Sequence, residues 1–144
     1  MNTNTAQAQR SKYNREAVLS ASPARLLTML YDRLLLDLGR AESAEVAGNW
    51  PVASENLLHA QAIVSELMSS LDVDKWEGAA DLAALYSYVS TSLISANVNR
   101  DVQRTRECVG LLEPLRLTWH EAAQQVPSGP MRTSSVASGS LGFA

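Results

Sequence analysis

The sequence predicts an all-α protein, an antiparallel up-down four-helix bundle with a flexible N-terminal arm and a disordered C-terminal tail. Three observations carry this. Four windows hold apolar residues at steps of three and four, the period of one helix face. No window alternates β-branched or aromatic residues with polar ones over a strand's length. Only a few residues separate successive windows, which favours antiparallel neighbours. The predicted boundaries are residues 1–20 for the arm, 21–126 for the bundle and 127–144 for the tail.

The first window spans about Pro23 to Ala47. Ser22 suits an N-cap, and Pro23 at the first helical position gives up an N–H that would be unpaired anyway. Leu27, Leu30, Leu34, Leu38 and Ala41 form its stripe, while Leu35 and Leu36 fall outside it. Gly48-Asn49 ends the helix. The second window spans Asn49 to Leu71, with Pro51 in its first turn and Leu57, Ala60, Val64, Leu67 and Leu71 as its seam. Ile63 and Met68 add apolar surface beside that seam.

The third window spans Lys75 to Asn99. Asp74 and Glu77 have capping-box spacing, with Gly78 weakening the first turn. Its stripe is Leu82, Leu85, Val89, Leu93 and Ala96, flanked by Tyr86 and Tyr88. The fourth runs from an Asp101 cap to Gln125, with Leu111, Leu115, Trp119, Ala122 and Val126 as its stripe and Cys108 and Leu112 alongside. Pro114 removes one backbone bond there and predicts a kink, with Gly110 leaving room for it. The Ser/Gly-rich segment from Pro127 to Ala144 lacks apolar residues enough to order itself.

Charge narrows the function. The net charge is −3, unevenly spread. Residues 1–40 hold six Arg/Lys against three Asp/Glu, and residues 41–81 hold one Lys against eight acids. No lysine cluster could track phosphates, which argues against nucleic acid as a partner. The acidic middle reads as a solvated helix face. No apolar run approaches the roughly 20 residues that span a bilayer, and the polar start lacks a secretory signal's apolar stretch. Cys108 is the single cysteine. It cannot close an internal disulfide, which suits a reducing cytoplasm.

No catalytic constellation stands out. A di-iron bundle needs Glu-x-x-His on two helices, and the sequence contains none. Glu55 and His59 share a helix face at i, i+4, a spacing far more often a surface hydrogen bond than a metal site. There is no Gly-x-Ser-x-Gly elbow and no Gly-rich phosphate loop. Cys108 sits by a seam, where a buried, inert thiol is expected. The expectation is therefore no enzyme, no cofactor and no metal. Surplus apolar surface remains, the material of helix-in-groove recognition or of self-association. Periodicity alone leaves those two even.

Longer stretches decide between them. The run Ala21-Ser22-Pro23-Ala24-Arg25-Leu26-Leu27-Thr28-Met29-Leu30-Tyr31-Asp32 closely resembles the start of the flagellar secretion chaperone family FliS. Further pieces match in order: Ala60 to Leu67, Leu71-Asp72, Leu82-x-x-Leu85-Tyr86-x-Tyr88, Leu93-Ile94-Ser95-Ala96-Asn97, and Leu111-Leu112 through Leu115-Arg116 to Trp119. Together they cover about residues 13 to 123. The resemblance implies an antiparallel helical bundle that binds the C-terminal helical segment of flagellin in the cytosol, prevents premature polymerisation and keeps it competent for type III export. It makes the flagellar export apparatus a further candidate partner, with a self-associating homodimer as the alternative. It also implies an arm tyrosine, here Tyr13, that folds over the client groove. Leu27, Leu30, Leu34 and Leu67 are expected to hold the core. Tyr13, Tyr31, Leu35, Ile63, Met68 and Tyr86, at the margins of the stripes, are the expected client contacts. Pro114 departs from the family's usual helix former.

Overall fold

The computed structural model describes residues 5–10, Lys12 and residues 22–125. Residues 5–10 and Lys12 are helical and exposed. The remaining expectations for the arm, Tyr13 included, and those for the 127–144 tail lie outside the described residues. Four long helices follow: α1 Pro23–Val46, α2 Trp50–Ser70, α3 Ala79–Asn99 and α4 Val102–Gln125. Each packs on two neighbours, closing a ring in the order α1, α2, α3, α4. At about 1.5 Å per residue the helices are roughly 32–36 Å long. The result is the predicted antiparallel four-helix bundle. Among the described residues there is no strand, and no helix is long and apolar enough to cross a membrane.

The turns explain why the helices stop where they do. The Ser22 hydroxyl accepts from the Arg25 N–H at 3.2 Å, and Pro23 occupies the first turn. At the other end of α1, Gly48 takes a φ of +77°. There the Ala47 and Asn49 N–H groups close back on the carbonyls of Ser43 and Ala44, satisfying acceptors that the helix end leaves open. Asn49 then caps α2 through Val52 N–H. Beyond α2, the Asp72 carboxylate accepts from Asp74 N–H and starts a turn rather than a helix.

This corrects the expected start of α3. The helix begins at Ala79, four residues later than the Asp74–Glu77 box suggests, and Gly78 caps it without a side-chain bond. The intervening residues form local turns, with Lys75 N–H bonded to the Asp72 carbonyl and Ala79 N–H to the Trp76 carbonyl. The Trp76 ring folds over Gly78 so closely that an added Cβ would lie 2.2 Å from it. At the end of α3, Arg100 adopts a left-handed φ of 53° and Asp101 N–H reaches the Ala96 carbonyl. The Asp101 carboxylate accepts from Gln103 N–H as α4 opens. α4 runs as one helix through Pro114.

The core follows the predicted seams on α1, α2 and α3. Leu34, Leu38 and Ala41, then Leu57, Ala60, Val64 and Leu67, then Val89, Leu93 and Ala96 are all buried. The α4 stripe needs correction. Its buried residues are Thr105, Cys108 and Leu112, with Leu115 and Trp119 partly buried against the core, whereas Leu111 and Ala122 are exposed. The inward face thus runs 105, 108, 112, 115, 119 in steps of three and four, one residue over from the Leu111 register at its start. The predicted end of the stripe, Val126, lies outside the described residues.

Two predictions follow from this packing. Leu67 is 2 % exposed, so Leu67→Ala should cost about 2–5 kcal/mol in urea denaturation, and a loss near zero would remove it from the core. Burial pushes the Cys108 thiol from 9.0 up to about 12. The thiol stays neutral in the fold while the unfolded chain ionises, so its stabilising contribution is complete below pH 9 and is lost as pH rises towards 12. The native protein should resist thiol reagents at pH 8 and react once unfolded. Cys108→Ala should flatten part of the alkaline fall in stability.

Candidate binding grooves along the first two helices

Two open grooves lie along the α1–α2 pair. The first, about 700 Å³, is lined by Pro23, Leu26, Leu27 and Leu30 of α1 and by His59, Ala62, Ile63, Glu66 and Ser70 of α2. Helical spacing explains the grouping, since residues three and four apart share a face. Ala62 contributes only a methyl group, which leaves depth between the leucines. The second groove, about 590 Å³ and more open, is lined by Leu35, Leu36, Gly39 and Ala44 on α1, by the capping Asn49 and by Val52 and Asn56 on α2, among others. Gly39 has no neighbour within 4 Å of where a Cβ would stand, so nothing crowds the floor there.

Arg33 lies between the groove-lining segments of α1, and Asp37 falls within the second. The Asp37 side chain is fully buried, accepting from Arg33 Nε at 3.0 Å on one oxygen and bonded to His59 Nδ1 through the other. A buried carboxylate is costly unless paired and hydrogen-bonded, so Asp37 ties His59, a wall of the first groove, to α1. His59 is therefore paired with Asp37 rather than Glu55. Among the described residues no three His, Cys, Asp or Glu side chains gather where they could hold a metal.

The expected contact residues divide three ways. Ile63, 8 % exposed, lines the first groove and Leu35 lines the second. Met68 is partly buried against the core and lines neither. Tyr31 and Tyr86 are corrected from the margins to the centre. They are 0 % and 1 % exposed, and their hydroxyls share a hydrogen bond of 2.7 Å. Trp119 meets the Tyr31 ring edge-on at 6.2 Å, a favoured aromatic geometry. Burial raises both tyrosine hydroxyls above their ordinary value. Sequence reasoning did not choose Pro23, Leu26, Leu36 or Val52 as contacts, although Leu36 stood out as off-stripe, and it expected Leu27 and Leu30 to hold the core. Both are partly buried, touching core and groove at once. The adjacent Leu26-Leu27 pair was the available signal, because one helix seam cannot take both.

The tyrosine pair is testable by a double-mutant cycle. Tyr31→Phe or Tyr86→Phe leaves a buried hydroxyl without its partner and should cost about 1–3 kcal/mol. The double Phe variant should cost less than the sum in urea denaturation, and additive losses would mean the hydroxyls are not coupled.

Comparison with known proteins fits this geometry. The family model described as Flagellar protein FliS matches residues 5–126. The flagellar secretion chaperone FliS of Bacillus subtilis (strain 168) is 31 % identical over 112 residues, covering 78 % of this chain and 84 % of that protein. Its Salmonella typhimurium (strain LT2) counterpart is 36 % identical over 107 residues, covering 73 % and 79 %. The crystal structure of a flagellar chaperone from bacteria overlays with a TM-score of 0.66 at 19 % identity, covering 82 % of this chain and 99 % of that one, a likeness of fold. The named relatives are chaperones, not enzymes. With the family model spanning all four helices and both grooves, the chain belongs to the FliS family of flagellar secretion chaperones.

Proposed function

We propose that the chain binds the C-terminal helical segment of newly made flagellin in the cytoplasm, blocking premature polymerisation and keeping the client competent for type III export. The observation that carries this reading is the pair of apolar grooves along α1 and α2 in a chain of the FliS family. An amphipathic helix lays its apolar face into such a groove and needs no catalytic group or cofactor. Leu26, Leu27, Leu30 and Ile63 supply the apolar bed of the first groove, while His59 and Glu66 offer polar rims that fix the client's register. Leu35, Leu36 and Val52 continue the apolar surface in the second groove. An N-terminal segment carrying Tyr13 competes for the same surface, so removing it should tighten client binding.

Calorimetry with a flagellin C-terminal peptide tests the reading. A saturable complex is expected, and Leu26→Asp or Ile63→Asp should weaken it about tenfold or more, with circular dichroism confirming that each variant folds. No heat and no complex at on the order of tens of micromolar would overturn it. So would a stable homodimer that sediments unchanged whether or not peptide is present.

A further inference from the structure

The two walls of the first groove differ in kind. From α1 it receives only apolar side chains, whereas α2 contributes His59 and Glu66 on either side of Ala62 and Ile63. Both polar residues are exposed. They stand seven residues apart in the sequence, which is two helical turns, or about 10 Å, along one face. Among the described residues no lysine or arginine lines this groove, and α2 contains none along its whole length. The Glu66 carboxylate joins none of the ion pairs among the described residues.

Asp37 decides what His59 offers. A carboxylate only accepts, so the bond between His59 Nδ1 and the buried Asp37 oxygen places a proton on Nδ1. The two nitrogens of an imidazole point away from each other. With Nδ1 turned to the buried carboxylate, Nε2 is directed outwards on a ring whose side chain is 52 % exposed. A neutral imidazole protonated on Nδ1 keeps a lone pair on Nε2. The α2 edge of the groove therefore carries two acceptors, a neutral one at His59 and an anionic one at Glu66.

Resting on the groove reading above, we infer that the first groove selects its client helix by one polar edge beside the apolar face. A lysine or arginine on that edge sets against Glu66, and a neutral donor such as glutamine sets two turns away against His59. A helix apolar on both sides would strip water from both acceptors and return no hydrogen bond. An acidic edge would meet Glu66 as a like charge. Asp37 is a positioning residue, acting on the client only through the His59 ring.

Fluorescence anisotropy of synthetic amphipathic helices titrated with the full chain tests this. The peptides share one leucine face and differ at a central edge position, with glutamine seven residues to either side so that both helix directions are served. At low salt, lysine at the centre should bind about threefold more tightly than glutamine and about tenfold more tightly than glutamate. Added salt at about 0.5 M should compress that range. Glu66→Lys should reverse the order, a gain for the glutamate peptide that misfolding cannot produce. Exchanging the flanking glutamines for methionine, similar in shape but without donors, should weaken binding about twofold or more. The ring ¹⁵N signals of His59 at about pH 8 should show a protonated Nδ1 and a bare Nε2. Equal binding of the three central residues, an unchanged order in Glu66→Lys, methionine binding as well as glutamine, or a bare Nδ1 would overturn the inference. So would no binding by any of these helices at on the order of tens of micromolar. A flagellin C-terminal peptide that fails while the lysine-edged helix binds rejects the client's identity and leaves the groove's preference standing. One that binds wild type and Glu66→Lys alike keeps the client and rejects the preference.

Discussion

One hydrogen bond between two phenol groups crosses the diagonal of this bundle, and the layout of the helices depends on it. The ring of contacts joins α1 to α2 and α4, and α3 to α2 and α4. Tyr31 on α1 and Tyr86 on α3 reach across that ring and meet at 2.7 Å. Two hydroxyls in a water-excluding core are tolerated more readily because one donates to the other. The pair therefore sets a spacing between opposite helices that aliphatic packing alone would leave adjustable. Trp119 fixes one ring from the side and brings α4 into the same arrangement.

With the diagonal fixed, the surface of α1 and α2 is fixed too. The buried Asp37 carboxylate bonds Arg33 and His59, which ties α1 to α2 beside the two grooves. The opposite side of α1 is tied to α4 by Asp32, which accepts from Arg116 and pairs with His120. These contacts are partly exposed and individually worth little, yet they share one acid and set one register. The molecule thus keeps its polar connections at the flanks of α1 and leaves its apolar margins to the grooves.

The start of α1 was readable from Ser22-Pro23 because capping is local chemistry: a hydroxyl, a ring and the next three residues decide it. The seams of α1 to α3 were readable because their apolar steps are unambiguous. The start of α3 was not, since Trp76 folding over Gly78 is a contact that no periodicity encodes. On α4, Leu111 and Leu112 are adjacent and equally apolar, so only the neighbouring helices choose which turns inward. The grooves resisted prediction for a related reason. A stripe on one helix is a property of that helix, whereas a groove exists only between two. Tyr31 and Tyr86 looked marginal because they fall beside the counted stripes, and their shared hydrogen bond appears only once the two helices are opposed.

The connection between α1 and α2 is three residues long, with Gly48 in a left-handed bend and both flanking helix ends hydrogen-bonded into it. The hydrogen bonds on either side leave this joint few free backbone groups. The two walls of each groove are held close by this hydrogen-bonded hairpin, so in the proposed complex much of the ordering cost would fall on the incoming chain. Under the function proposed above, such a host would select ligands by their readiness to become helical, tolerant of sequence and exacting about shape.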